Sequence, residues 1–219
     1  LVTNLAYTLA PAAFSPQVIV PATINITTTN VATWTAYTSV DFIDISATGT
    51  ALNLTDDSEA NIVSPFPFTF FGATSSDLRV GNNGGILFGV TAGDLGLTNA
   101  ALPAAAGLPA PAILPFWDDM DDETGNVFWE VQGTAPDRKL IVEWYNRPHF
   151  NGVGAATFEA ILYETSNAIE FRYLDTDFGN AAYNYGVSAT SGLQQNTTTA
   201  VQHSFNQPVL FGGKAVRFE

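Results

Sequence analysis

Residues 139–173 switch between apolar and polar side chains in three successive runs, and that pattern leaves few folds open. In Lys139-Leu140-Ile141-Val142-Glu143-Trp144, Leu140, Val142 and Trp144 share one face, while Lys139 and Glu143 share the other. In Thr157-Phe158-Glu159-Ala160-Ile161-Leu162 the apolar face is Phe158, Ala160 and Leu162. In Ile169-Glu170-Phe171-Arg172-Tyr173 it is Ile169, Phe171 and Tyr173. Successive strands with one apolar and one charged face predict an antiparallel sheet with one side wet. Glu143, Glu159 and Glu170, interleaved with Lys139 and Arg172, then read as a cross-strand ion-pair surface. Residues 126–131 add a fourth strand ahead of them.

Turn signals separate these runs: Thr124-Gly125-Asn126, Ala135-Pro136-Asp137, Asn151-Gly152 and Thr165-Ser166-Asn167. Their spacing predicts an all-β chain, an antiparallel β-sandwich or jelly roll with an extended N-terminal strand or arm. Residues 66–71 and 86–90 read as strands, with Asn82-Asn83-Gly84-Gly85 as a tight turn before the second. Alternation places Phe66, Phe68 and Phe70 in the core. The apolar run 113–117 is a further strand, and 187–190, 200–205 and 215–218 supply the last ones. The Ala-rich stretch 99–111 has helical composition, but Pro103, Gly107, Pro109 and Pro111 break it, so it reads as a loop. A chain of 219 residues buries roughly 70 % of its unfolded surface and needs no staples. The one expected boundary divides an arm, residues 1–33, from a sandwich body, residues 34–219.

Residues 1–40 contain no Asp, Glu, Lys, Arg or His. Val18, Ile19 and Val20, then Ile24 and Ile26 within a Thr-rich run, are strand formers. An apolar strand of this kind recruits another strand unless covered. Either it is the first strand of its own sandwich, or it docks on another copy, where main-chain bonds and alternate side-chain pockets supply affinity. The second option makes Val18, Ile19, Val20, Ile24 and Ile26 the assembly residues and joins copies head-to-tail in a filament.

The remainder is acidic, with a formal net charge of −14 and only two lysines, Lys139 and Lys214. Nucleic acid needs basic partners, so it is excluded as a ligand. No apolar run is long enough for a helical membrane span. There is no cysteine, hence no disulfide and no thiolate metal site. The chain opens on Leu1, which fits a secreted product after leader removal and equally a trimmed chain. Asn25, Asn53 and Asn196 stand in N-glycosylation sequons. Together these place the protein outside the cell or on its surface.

The densest chemical cluster is Asp118-Asp119-Met120-Asp121-Asp122-Glu123. Adjacent carboxylates repel unless solvated or neutralised, and hard oxygen ligands suit Ca²⁺. Asp118, Asp119, Asp121, Asp122 and Glu123 are therefore the candidate metal ligands, with calcium the expected cofactor and a solvated acidic loop the alternative. An EF-hand is not expected, because Thr124 stands where that loop needs glycine. Catalysis has little to work with. His149 and His203 are the two histidines, and no Gly-x-Ser-x-Gly elbow occurs. A glycosidase built on paired carboxylates is a distant rival to the ion-pair surface. Trp34, Tyr37, Tyr145 or Tyr185 would form a glycan platform if exposed, but core packing is the simpler role.

Pro65-Phe66-Pro67-Phe68-Thr69-Phe70-Phe71-Gly72, Val80-Gly81-Asn82-Asn83-Gly84, Ile113-Leu114-Pro115-Phe116-Trp117-Asp118-Asp119 and Phe158-Glu159-Ala160-Ile161-Leu162-Tyr163 carry a family resemblance. So does the ending, from Ser204-Phe205-Asn206 through Ala215-Val216-Arg217-Phe218. Together they resemble β-sandwich modules of secreted bacterial proteins, appended to subtilisin-like proteases or large surface proteins. More distantly they are similar to nidogen-like and plexin-domain-containing extracellular modules. The resemblance spans residues 34–219. It implies an extracellular, non-catalytic role in adhesion, matrix or assembly, and it transfers no catalytic residue. The expectation is an extracellular structural protein, with copies of itself as partners. The alternative is a non-catalytic accessory module of a secreted hydrolase, binding glycans or a surface.

Overall fold

The computed structural model describes residues 20–22, 33–38, 40–104, 108–109, 111–151 and 153–219. Two antiparallel sheets pack face to face as a β-sandwich. In the eight-stranded sheet the order is β1 (Val20–Ala22), β2 (Trp34–Thr38), β14 (Lys214–Phe218), β11 (Ile169–Asp175), β10 (Val153–Tyr163), β9 (Lys139–His149), β8 (Asn126–Gln132) and β3 (Thr50–Ala51). The six-stranded sheet runs β13 (Thr199–Phe205), β12 (Thr190–Asn196), β7 (Ala112–Trp117), β6 (Gly85–Phe88), β5 (Ala73–Gly81) and β4 (Glu59–Phe70).

The alternating runs are β9, β10 and β11, adjacent in the sheet, and their inner faces are the core. Leu140, Val142, Trp144, Phe158, Ala160, Leu162, Ile169, Phe171 and Tyr173 are all buried. Trp144 stacks on Phe158 at 5.1 Å, and Phe158 stacks on Phe116 of the opposite sheet at 5.2 Å. Two polar tips tie the layers: Trp144 Nε1 donates to Gly81 O at 2.9 Å, and the Tyr173 hydroxyl donates to Pro115 O at 2.8 Å. Phe66, Phe68 and Phe70 are buried as alternation requires. The turn before β6 needs a glycine at Gly84, which has φ 73° and lies so close to Phe116 O that a Cβ would sit 1.8 Å from it.

Two expectations are corrected. The outer face of β9–β11 is not wet. Glu143 and Glu159 are fully buried and Glu170 nearly so, because residues 40–49 lie across that face as a strap. Ile45 in the strap packs on Ile141 and Ile161, which occupy outer positions. The outer face of the second sheet is likewise covered, by Leu95, Ala104 and Leu108 over Leu87, Ala112, Leu114 and Trp117. Covering both faces requires apolar residues at some outward positions, and these strands carry them. Second, the strand expected at 187–190 is displaced: β12 begins at Thr190, and residues 184–186 form a short 3₁₀ turn. The described part of the 99–111 stretch is irregular, as its prolines require.

Candidate functional site

Three places gather chemistry. The first is an acidic corner at one end of the sandwich. The loop after β7 and the turn before β4 meet there, and one carboxylate oxygen from each of Asp56, Asp57 and Asp119 lies within 4.8 Å of the others. Buried Asn83 joins the two loops: its Nδ2 donates to Asp57 Oδ1 at 2.7 Å, and its Oδ1 accepts from Met120 N at 2.8 Å. Below it, the buried Arg147 guanidinium donates to Asn82 Oδ1 and to the carbonyls of Leu54 and Thr124. Burial, then repulsion from Asp57, Asp121 and Asp122, pushes the Asp56 carboxyl above its ordinary range. Burial and Asp57 do the same to Asp119, against a smaller opposing pull from His149.

Of the five acids expected to hold metal, Asp119 alone joins this cluster. Asp118 is buried and engaged elsewhere: its Oδ2 accepts from Ser188 Oγ at 2.6 Å, and its Oδ1 lies 3.7 Å from His149 Nε2. Asp121 Oδ1 accepts from Asp122 N, while Asp122 and Glu123 point to solvent. Asp56 and Asp57 escaped sequence reasoning. Their signal, an acidic pair in a turn ahead of a strand, says nothing about a partner some sixty residues on. The three gathered side chains offer only oxygen, and that donor chemistry fits Ca²⁺, which takes six to eight oxygens, better than zinc. His149 ends a strand, its ring stacked on Tyr183 at 3.8 Å and its Nδ1 accepting from Asn151 N.

The second place is the strap. Ile45 N donates to Glu143 Oε2 at 2.8 Å, and Ile43 N donates to Glu159 Oε1 at 3.2 Å. Glu143 and Glu159 face each other across β9 and β10. Arg172 donates to Asp41 O at 2.7 Å and to Glu170 Oε1 at 2.6 Å, and it lies 3.8 Å from Glu159. Glu143 Oε1 and Glu159 Oε2 have no partner. Burial pushes Glu143 up to about 7 and Glu159 up to about 8. This pair is fully buried beneath the strap, and its work is to hold backbone.

The third place is a groove of about 270 Å³ at the flank where the sheets part, lined by Thr48, Thr50, Val63, Pro65, Trp129, Glu130 and Val131. At the opposite flank, Val20–Ala22 pairs antiparallel with Trp34, Thr35 and Ala36 as the edge strand of the eight-stranded sheet. Val18, Ile19, Ile24 and Ile26 lie outside the described residues, as does Asn25. Asn53 and Asn196 are exposed, in an irregular loop and at a hairpin respectively. Tyr145 is half-exposed, whereas Trp34 and Tyr37 are partly buried in β2.

A family model described as NIDO related matches residues 29–216. Modules of this nidogen-related type are extracellular and non-catalytic. No curated protein and no solved structure matches the chain. Among the described residues no helix is long and apolar enough to cross a membrane.

Proposed function

The chain belongs to the NIDO-related family, and on that premise we propose that it is an extracellular, non-enzymatic structural module that assembles head-to-tail with copies of itself through its charge-free N-terminal segment. The observation that carries the reading is the addition of Val20–Ala22 to the outer edge of β2. Strand addition at a sheet edge is thus open to this charge-free segment, and a three-residue pairing holds it with few main-chain bonds. The family match begins at residue 29 and leaves residues 1–28 outside the module. Those residues carry no charge, while the body is strongly acidic. Two such bodies repel, and the neutral segment is the part of one copy that approaches another without that cost.

Calcium belongs to the same reading, held by Asp56, Asp57 and Asp119, where a cation relieves the repulsion that adds to burial in raising Asp56 and Asp119. Isothermal titration of chelator-stripped protein tests it: heat at sub-millimolar to millimolar Ca²⁺ supports the site, and its absence removes it. For assembly, sedimentation velocity across a concentration series is the test. Species growing with concentration in the intact chain, and a folded monomer in a chain lacking residues 1–33, support strand donation. A monomer in both overturns it.

A further inference from the structure

The reading above names a donor and leaves its acceptor open. Donated strands need an open sheet edge with side-chain pockets beside it. The four sheet edges differ in what they offer. β1 is three residues long and contains Pro21. β4 carries Pro65 and Pro67, which lack the N–H a ladder requires. β13 is bulged: Ser191 pairs with Ser204 and Gly192 with Gln202, leaving His203 between them, and a bulge turns an edge away from partners. β3 is the exception. It covers only Phe128 and Trp129 of β8, so Glu130, Val131 and Gln132 have no strand partner on that side among the described residues. The groove lies at the same spot, with Trp129, Glu130 and Val131 on one wall and Val63 and Pro65 on the other.

We propose that this groove, beside the open end of β8, receives residues 1–9 of a second copy as an added strand. The inference rests on the assembly reading and specifies its acceptor. Three features fit groove and occupant. Val63 is 63 % exposed, a large apolar side chain with nothing over it among the described residues. The one acid in the groove is already satisfied, since Glu130 accepts from Thr48 Oγ1 at 2.5 Å and from Gln132 Nε2 at 3.1 Å. An uncharged strand therefore enters without opposing a free carboxylate. In the occupant, Leu5, Tyr7 and Leu9 alternate with Ala6 and Thr8, so one face is apolar and the other small or polar. Val20–Ala22 is paired to its own β2, which leaves the run ahead of it in the sequence for donation.

Topology sets the direction of growth. β1 and β3 are the two ends of the eight-stranded sheet, roughly 33 Å apart at the usual strand spacing. The β1 anchor of the donor segment and the acceptor groove therefore lie on opposite flanks of each copy. Such a contact is heterologous, and repetition yields a filament rather than a closed dimer.

The chain has no cysteine, so introduced thiols report contacts without background. Leu5→Cys, Tyr7→Cys or Leu9→Cys is mixed in turn with Val63→Cys under oxidising conditions, and Leu97→Cys, another exposed site, serves as the control partner. The expected result is a covalent dimer with Val63→Cys that grows with concentration and is lost with Leu97→Cys, together with loss of assembly in Val63→Asp. Cross-linking equal in both pairings, or none while the unmodified chain still assembles, overturns the groove and leaves the assembly reading intact. An unmodified chain that never assembles overturns both. Saturable binding on a glycan array that Val63→Asp abolishes, with no cross-link, would assign the groove to a sugar instead.

Discussion

The strap and the acidic corner both bring carboxylates together, and they differ in what answers the charge. Under the strap, two fully buried glutamates accept backbone N–H groups from Ile43 and Ile45, with Arg172 beside them. Each retains an oxygen without a partner, and burial moves both towards neutrality at ordinary pH. At the corner, Asp56 and Asp57 face solvent and Asp119 is half-buried. The charge there is answered by Asn83 and by exposure to solvent, which leaves oxygens free for a cation. Burial thus separates a pair of acids that serves as internal structure from a cluster that is open to a ligand.

The largest effect that would break this contrast is loss of the strap. Ile45→Ala removes the apolar anchor over Ile141 and Ile161, and a destabilisation of about 2–4 kcal/mol is expected in denaturant melts. A cost under half a kcal/mol would mean that the strap rests loosely on the sheet.

Next comes pH. Both glutamates have folded pKa values above their unfolded value of 4.5, so they contribute stability at low pH that is lost as pH rises through about 7 and 8. His203, held down to about 3 by burial and Lys214, acts oppositely below 6.5, because the unfolded state takes up that proton. Lys214, lowered to about 8 by burial, also opposes the glutamates towards the top of the range; between pH 6.5 and 8 the glutamates still dominate, and stability falls by about 1–2 kcal/mol as pH rises. Glu159→Gln should flatten the slope, and an unchanged slope would show that the pair does not titrate with folding.

Calcium follows. At ten times its dissociation constant the ion should raise stability by about 1.4 kcal/mol, and Asp119→Asn should remove the gain. Asp122→Asn is the smallest change: about 0.5 kcal/mol or less, with the calcium response kept. Loss of that response in Asp122→Asn would move the ligand set back to the contiguous acidic run.

The inner half of the sandwich was legible because alternation reports burial locally. β9, β10 and β11, and the phenylalanines of β4, lie where their period puts them. β5 was not legible, since Ala73-Thr74-Ser75-Ser76 shows no apolar face before Leu78 and Val80. The outer layer was illegible for a different reason. Ile43 and Ile45 meet glutamates 116 and 98 residues away, and no local period encodes such a meeting. One clue was present: Ile141 and Ile161 interrupt the faces that Glu143 and Glu159 marked as polar. Asp57 and Asp119 meet across a shorter but still non-local gap through Asn83, whose role in the turn Asn82-Asn83-Gly84-Gly85 shows only once both loops are placed.

Assembly through the N-terminal segment is the central claim, and electron microscopy of the intact chain beside a chain lacking residues 1–33 tests it most directly. The account predicts filaments from the first and folded, dispersed monomers from the second. Monodisperse particles from the intact chain, or an unfolded truncation showing that the segment belongs to its own sandwich, would contradict it.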